Sequence, residues 1–338
     1  MLPVFAFLLN GCSSIYYFYQ AGKGQLALLN RGKPIEKVIS DPATDPKLAS
    51  LLSNIKDIRK FCEDSGLKPT PNYREYVSLD RDSVVYVVTV SEALEFKVKI
   101  FSFPIAGSFN YIGWFSKDDA LEFAKKFEAQ GMDVDVRGAS AYSTLGWFRD
   151  PLLSTMIPVE NGVIQAEALA DLVNVVIHES VHATLYLKNQ SYFNESIAVF
   201  VADELTRKYF DSKLKMDVPE WKSYLSRKDR GEKIRTRMMK AYADLKVIYD
   251  SSMPTDEKRS KKKIYLEALQ KELNFRRPIT NATLIQFQTY NDSEHGFQPL
   301  YERMGRNLNQ FMAALSQLKP SDFKKDHDES FDVSKMIR

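Results

Sequence analysis

Four histidines occur in this chain of 338 residues, and two share one motif, His178-Glu179-Ser180-Val181-His182. Leu169, Leu172, Val173, Val176 and Ile177 run ahead of it at helical spacing, which predicts a helix over 165–188. On a helix, positions four apart differ by about 40° and one turn of rise, so both imidazoles project to one side and can share a metal ion. Glu179 is rotated about 100° from His178 and falls beside the open coordination position, where it can take a proton from a water on the metal. With glutamate at about 7%, a chance HExxH is expected about 0.003 times in such a chain. The bland alternative is a satisfied histidine pair on a core helix.

A third ligand candidate follows. The first helix is expected to end near Lys188–Ser191 and a second to begin at Phe193, continued by Ile197, Ala198, Phe200, Val201 and Leu205. Ser191 or Asn194 could cap its first turn. Two helices joined by a short turn can pack antiparallel and return Glu195, thirteen residues beyond His182, to the histidines. His, His and Glu with one open position is a catalytic zinc arrangement, whereas structural zinc is closed by four cysteine or histidine ligands. Cys12 and Cys62 are the only cysteines, too few for that. The expectation is one Zn²⁺ per chain on His178, His182 and Glu195, with Glu179 as general base.

The elements that must hold these residues read as α+β. Helical spacing covers 15–29 and 43–66, with Gly66 as a stop. Strand signals follow at Val84–Val90, Phe96–Phe103 and Phe109–Phe115, then a helix over 117–130 and a short strand over Asp133–Gly138. That last strand is either an edge that pairs with a substrate backbone or an ordinary interior strand. From Gln165 onward the chain reads as almost wholly helical. The expected organisation is a leader over 1–11 and one domain over 12–320, with the sheet at about 67–140, the metal helices at about 165–210 and a helical part at about 217–320. A charged tail over 321–338 is expected to fray.

Composition sets the outer bounds. The chain is 44% hydrophobic and 27% charged with a net charge of +3, which excludes a disordered or collagen-like chain. Lys222–Arg277 carries 17 basic against 8 acidic residues, which reads as a solvated helix face or a surface for anionic lipid. Nucleic acid is not an expected partner, since no aromatic-interleaved basic motif appears. At the N-terminus, Leu2–Leu9 is an unbroken apolar run of eight residues, about 12 Å as a helix and too short for a bilayer of about 30 Å. Leu9-Asn10-Gly11-Cys12 resembles the bacterial lipobox, in which the cysteine is lipidated. Two departures are the Asn10 and the lack of Lys or Arg before the apolar run.

The metal motif followed by Asn194-Glu195-x-x-Ala198 resembles the signature of the gluzincins, the thermolysin-like and aminopeptidase-N-like peptidases. A closer resemblance is to a bacterial predicted-aminopeptidase lipoprotein family. It is carried by Gly11–Ser14, by AYSTLGWFRDPLLSTM at 141–156, by HESVHATLY with FNESIAVFV, and by Thr280-Asn281-Ala282 and Thr289-Tyr290. It covers most of the chain and implies a zincin-like fold, a zinc aminopeptidase acting on peptides, and a lipid anchor at Cys12. It also places the protein in the cell envelope facing the periplasm, on the outer membrane sooner than the inner. In that family cysteines stand at the positions of Ser102 and Ser108, so a local disulfide is absent here.

An oxyanion stabiliser besides the metal is needed, and the candidates are Tyr142, Tyr290 and His295. The ligand histidines also need an acceptor for their second ring nitrogen, with Asp150, Asp171 and Asp203 as candidates because the thermolysin-like position is Val199. The alternative from another class is a catalytically silent zinc-binding envelope lipoprotein with a binding or chaperone-like role. The sequence does not give an oligomeric state or separate exopeptidase from endopeptidase.

Overall fold

The computed structural model describes residues 4–103, 107–144, 149–213, 218–289 and 295–337, the first twelve of them as backbone only. It is a mixed α+β chain. One helix, α1 (Val4–Arg31), runs through Cys12 and the whole predicted helix. Among the described residues no helix is long and apolar enough to cross a membrane. Strand β1 (Lys33–Pro34) leads to α2 (Ile35–Ser40), α3 (Pro46–Ser53) and α4 (Ile55–Asp64). The last two replace the single helix expected over 43–66. The break is at Asn54, whose side-chain amide donates to Ser50 O at 2.7 Å while its backbone N–H turns to Leu51 O.

The sheet region contains β2 (Glu75–Val77), β3 (Val85–Ser91), β4 (Phe101–Phe103), β5 (Gly107–Phe109) and β6 (Ile112–Trp114). Helix α5 (Lys117–Glu128), β7 (Asp133–Ala139) and β8 (Leu152–Leu153) follow. Antiparallel strands in the order β6-β3-β7 make the principal sheet, with Val87 opposite both Gly113 and Arg137. Val88 and Val90 pack on Ala120 and Ala124 of α5, while Val85 and Val87 face the main core. The strand expected over 109–115 is split at Asn110 and Tyr111. Those side chains donate to Thr289 and Glu195, which holds the corner in place of a continuous ladder. Ser102 and Ser108 sit directly opposite each other in the β4–β5 pair.

A small hairpin of β9 (Val159–Glu160) and β10 (Val163–Ile164) precedes α6 (Ala168–Thr184) and α7 (Ser191–Lys213). Leu172, Val173, Val176, Ile177 and Val181 of α6 are fully buried. The remainder is α8 (Pro219–Asp250), α9 (Thr255–Glu272), α10 (Asn281–Thr289), α11 (Phe297–Arg303), α12 (Leu308–Leu315) and α13 (Val333–Met336). Helix α6 stops four residues short of Lys188 because the Asn194 side chain takes both backbone groups of Leu187, each at 2.8 Å.

The C-terminal stretch does not fray as expected. Phe323, Phe331 and Val333 are buried, with Phe193 packed against both phenylalanines. Lys325 and Glu329 pair on the exposed side, while the buried Asp328 accepts hydrogen bonds from Lys324 N–H and Ser330 N–H. This stretch fastens the turn between α6 and α7. His327 N–H donates to Asn189 O, and Gln190 exchanges hydrogen bonds with Lys325 O and Asp328 N–H. Ser191 N–H donates to His327 Nδ1, so the ring proton sits on Nε2 and is given to Ser108 Oγ at 2.8 Å. Burial holds the His327 pKa below its ordinary 6.5, against a smaller opposing effect of Asp326. The unfolded chain therefore binds this proton first as pH falls, and the contribution present above 6.5 is lost on acidification. The stability advantage of the parent over His327→Gln should shrink between pH 7 and pH 5 in denaturant titrations. A difference independent of pH would refute this.

Candidate active site

Four-residue spacing on α6 stacks His178 and His182 on one face, with ring centroids 4.8 Å apart and the two Nε2 atoms 3.2 Å apart. Glu195 lies in the first turns of α7. Its Oε2 is 3.5 Å from His178 Nε2 and 3.7 Å from His182 Nε2. Ligand bonds of about 2.0–2.2 Å in a tetrahedron place donor atoms about 3.3–3.6 Å apart, so these three side chains have the spacing of a shared metal ion. The structure thus brings together the three ligands read from the sequence.

Tyr111 completes this arrangement and was not anticipated. Its hydroxyl donates to Glu195 Oε1 at 3.2 Å, which leaves Oε2 to face the imidazoles. The one available signal was a single hydroxyl in the aromatic run 109–115. Asn194 does not act as a simple helix cap; it spans the turn to Leu187 and so fixes where α7 begins.

Burial alone would raise the Glu195 pKa, but the charge of His182 and hydrogen bonds from both histidines outweigh it and hold the carboxyl well below its usual range. Burial works against the charge on His182, yet Glu195, by its charge and hydrogen bond, and Glu179 bring its pKa above the ordinary value. Glu179 is buried, lines the same cavity, and its Oε2 has no hydrogen-bond partner among the described residues. The same holds for His182 Nδ1. None of the expected acceptors serves it: Asp171 pairs with Arg227, Asp203 with Lys228, and Asp150 accepts from Thr144 N–H and Oγ1. Burial lifts the Asp150 pKa to about 6 against those hydrogen bonds, with the Glu179 charge adding to the rise.

The triad opens on a cavity of about 950 Å³ lined by β3, β6, the 137–144 stretch, α6, α7 and α1. Tyr142 lines it, half-buried and edge-on to Phe115 at 5.4 Å, its pKa raised by burial and then by Asp150. Tyr186, in the turn after α6, also lines it, with its pKa pushed up to about 12 by burial and the Glu195 charge. Tyr290 lies outside the described residues. His295 is buried in the core, stacked on Phe331 at 4.0 Å and away from the cavity lining. On the edge strand β7, the carbonyls of Val134 and Val136 accept from Thr280 and Arg277, while Arg137, Gly138 and Ala139 line the cavity, so the first half of the strand is covered and the second half faces the site. Much of the basic charge of α8 and α9 is paired, as in Arg237–Glu272, Lys240–Asp244, Lys246–Asp250 and Lys262–Asp133, which fits a solvated face.

A family model described as "Putative aminopeptidase" matches residues 16–329, and the chain belongs to that family. No curated protein and no solved structure matches it.

Two substitutions check this geometry. Tyr111→Phe should weaken metal binding about tenfold or more in chelator competition while the fold persists, and an unchanged affinity would remove Tyr111 from the site. Asn194→Ala strands two backbone groups at the buried Leu187 and should cost about 2–4 kcal/mol in chemical denaturation. An unaltered midpoint would show that the turn is held by other contacts.

Proposed function

We propose that this member of the putative aminopeptidase family is a zinc-dependent peptidase of gluzincin type with a zincin-like fold. His178, His182 and Glu195 hold one zinc ion per chain, and Glu179 is the general base. The observation that carries the reading is the triad of donor atoms separated by 3.2–3.7 Å beside a buried glutamate carboxylate oxygen that lacks a partner among the described residues. Three protein donors of nitrogen and oxygen type leave one tetrahedral position open, the mark of a catalytic rather than a closed structural site. When bound there, zinc supplies a Lewis acid that polarises the substrate carbonyl and brings the pKa of water down to about 7.

The chain's own residues do the rest. Glu179 follows His178 directly, and its carboxylate lines the cavity on the same side as the ligands. It takes the proton of the attacking water and returns it to the leaving amine nitrogen as the peptide C–N bond breaks. Tyr142, which lines the cavity, is the residue we assign to donate its hydroxyl to the carbonyl oxygen as negative charge builds there. Tyr111 fixes the orientation of Glu195. The lipobox-like Cys12 supports the further reading that residues 1–11 are a leader and that the mature chain is lipid-anchored in the bacterial envelope, facing the periplasm.

Glu179→Gln should abolish peptide hydrolysis while zinc remains at one per chain by elemental analysis, and Tyr142→Phe should lower kcat about 100-fold with zinc retained. Hydrolysis surviving in Glu179→Gln would sink the mechanism, and a parent chain that takes up no zinc would sink the whole reading.

A further inference from the structure

Helix α1 is built into the cavity. Gln20 pairs with the outer edge of β6 as a strand residue would, its Oε1 accepting from Phe115 N–H at 3.1 Å and its Nε2 donating to Gly113 O at 3.4 Å. Gly24 lets the helix close on Phe115: a Cβ there would fall 2.2 Å from the ring. The contact fixes α1 on the sheet and closes the β6 edge to any other strand at this point. It also turns Tyr17, Phe18 and Ala21 into the cavity. Tyr17 packs on Phe103 at 5.2 Å and on Trp114 at 5.5 Å, and Phe18 meets Phe103 edge-on at 5.9 Å.

The chemistry of the wall is one-sided. Beyond the ligands and Glu179, the only charged residue among the described lining is Arg137, which donates to Gln286. Tyr17, Phe18, Phe103, Phe109 and Phe115 present aromatic surface. Phe18 is 50% exposed at the wall of this open cleft, so an apolar group entering it would cover a ring that the fold leaves in water. The volume of about 950 Å³ is at the upper end of small-ligand sites and takes several residues of an extended peptide.

We infer that α1 is the specificity wall of the site: Tyr17 and Phe18, with Phe103, Phe109 and Phe115, form a subsite for a bulky apolar or aromatic side chain of a peptide lying across the metal triad. The inference rests on the peptidase reading for what occupies the cavity, and on the aromatic lining for which side chain it selects.

The experiment uses the full zinc-loaded chain and a peptide series that differs at one residue, Phe, Leu, Ala, Asp or Lys. Cleavage is measured on the parent, and affinity by calorimetry on Glu179→Gln with and without Phe18→Ala. Phe and Leu peptides should bind about tenfold or more tightly than Ala, Asp and Lys peptides. Phe18→Ala should remove about tenfold of the Phe affinity, leave the Ala peptide unchanged, and leave the melting curve in place because the ring is half exposed. Equal affinities across the series, a preference for Asp or Lys, or a uniform effect of Phe18→Ala would overturn the subsite. Binding that follows this pattern with no peptide cleaved would leave the subsite standing and bring down the peptidase reading. Cleavage without side-chain preference would do the reverse.

Discussion

The carboxylate of Glu195 is the group on which the arrangement turns. A carboxylate moved into a protein interior costs several kcal/mol unless it is paired and hydrogen-bonded. Here one oxygen faces two imidazoles and the other accepts from Tyr111, so each oxygen has a defined use. That distribution requires α6, α7 and the β5–β6 corner to meet within a few tenths of an ångström. Asn194 spans the turn between the helices, and Asn189, Gln190 and His327 lock that turn to the C-terminal stretch and to β5. The geometry of the triad is therefore held from three sequence-distant places, each contributing hydrogen bonds with little freedom of direction.

What could be read from the sequence divides along the range of the interactions. The metal helix was legible because its information is local: residues four apart share a face, and buried apolar spacing surrounds them. Glu195 was legible because a short turn leaves few ways to return the chain. Tyr111 was not, since nothing near position 111 indicates a partner 84 residues away. The end of α6 was misplaced for the same reason, because the side chain of Asn194 competes with the helix for Leu187. The tail was misread through its charge. Three apolar residues, Phe323, Phe331 and Val333, decide its fate, while Lys325 and Glu329 only coat its outer side.

Helix α1 shows how one segment can carry two kinds of information. Its first turns carry the apolar run and Cys12, while Tyr17, Phe18 and Gln20 belong to the catalytic cavity. The family match begins at residue 16, where the cavity-facing part of the helix starts. On the lipoprotein reading, five residue steps of helix, about 7.5 Å, lead from the anchor at Cys12 to Tyr17, the first aromatic that lines the cavity. On that reading, a site so close to its tether would work at the membrane surface.

Polar satisfaction marks the same place from another direction. Buried polar groups far from the cavity are for the most part used: Asn281 bonds to Tyr249 and to two carbonyls, Thr283 to Asp135, and Gln190 to the tail on both sides of its amide. At the triad, Glu179 Oε2 and His182 Nδ1 are buried without partners among the described residues, and the buried Tyr73 hydroxyl, whose pKa the Glu179 charge helps to raise, is a third. Orphaned groups each cost about 1–3 kcal/mol, and others among the described residues occur at Gln25, Trp114 and Gln288, so what sets the triad apart is that its orphans stand beside a set of donor atoms spaced for a metal ion. Tyr73 is also held at φ = 59°, a left-handed conformation rare for an aromatic residue, by Asp150 O accepting its N–H at 2.8 Å. Around Glu179, then, an unused carboxylate oxygen and a backbone held in a rarely populated region occur together, which on the peptidase reading is where a water and a substrate carbonyl would be received.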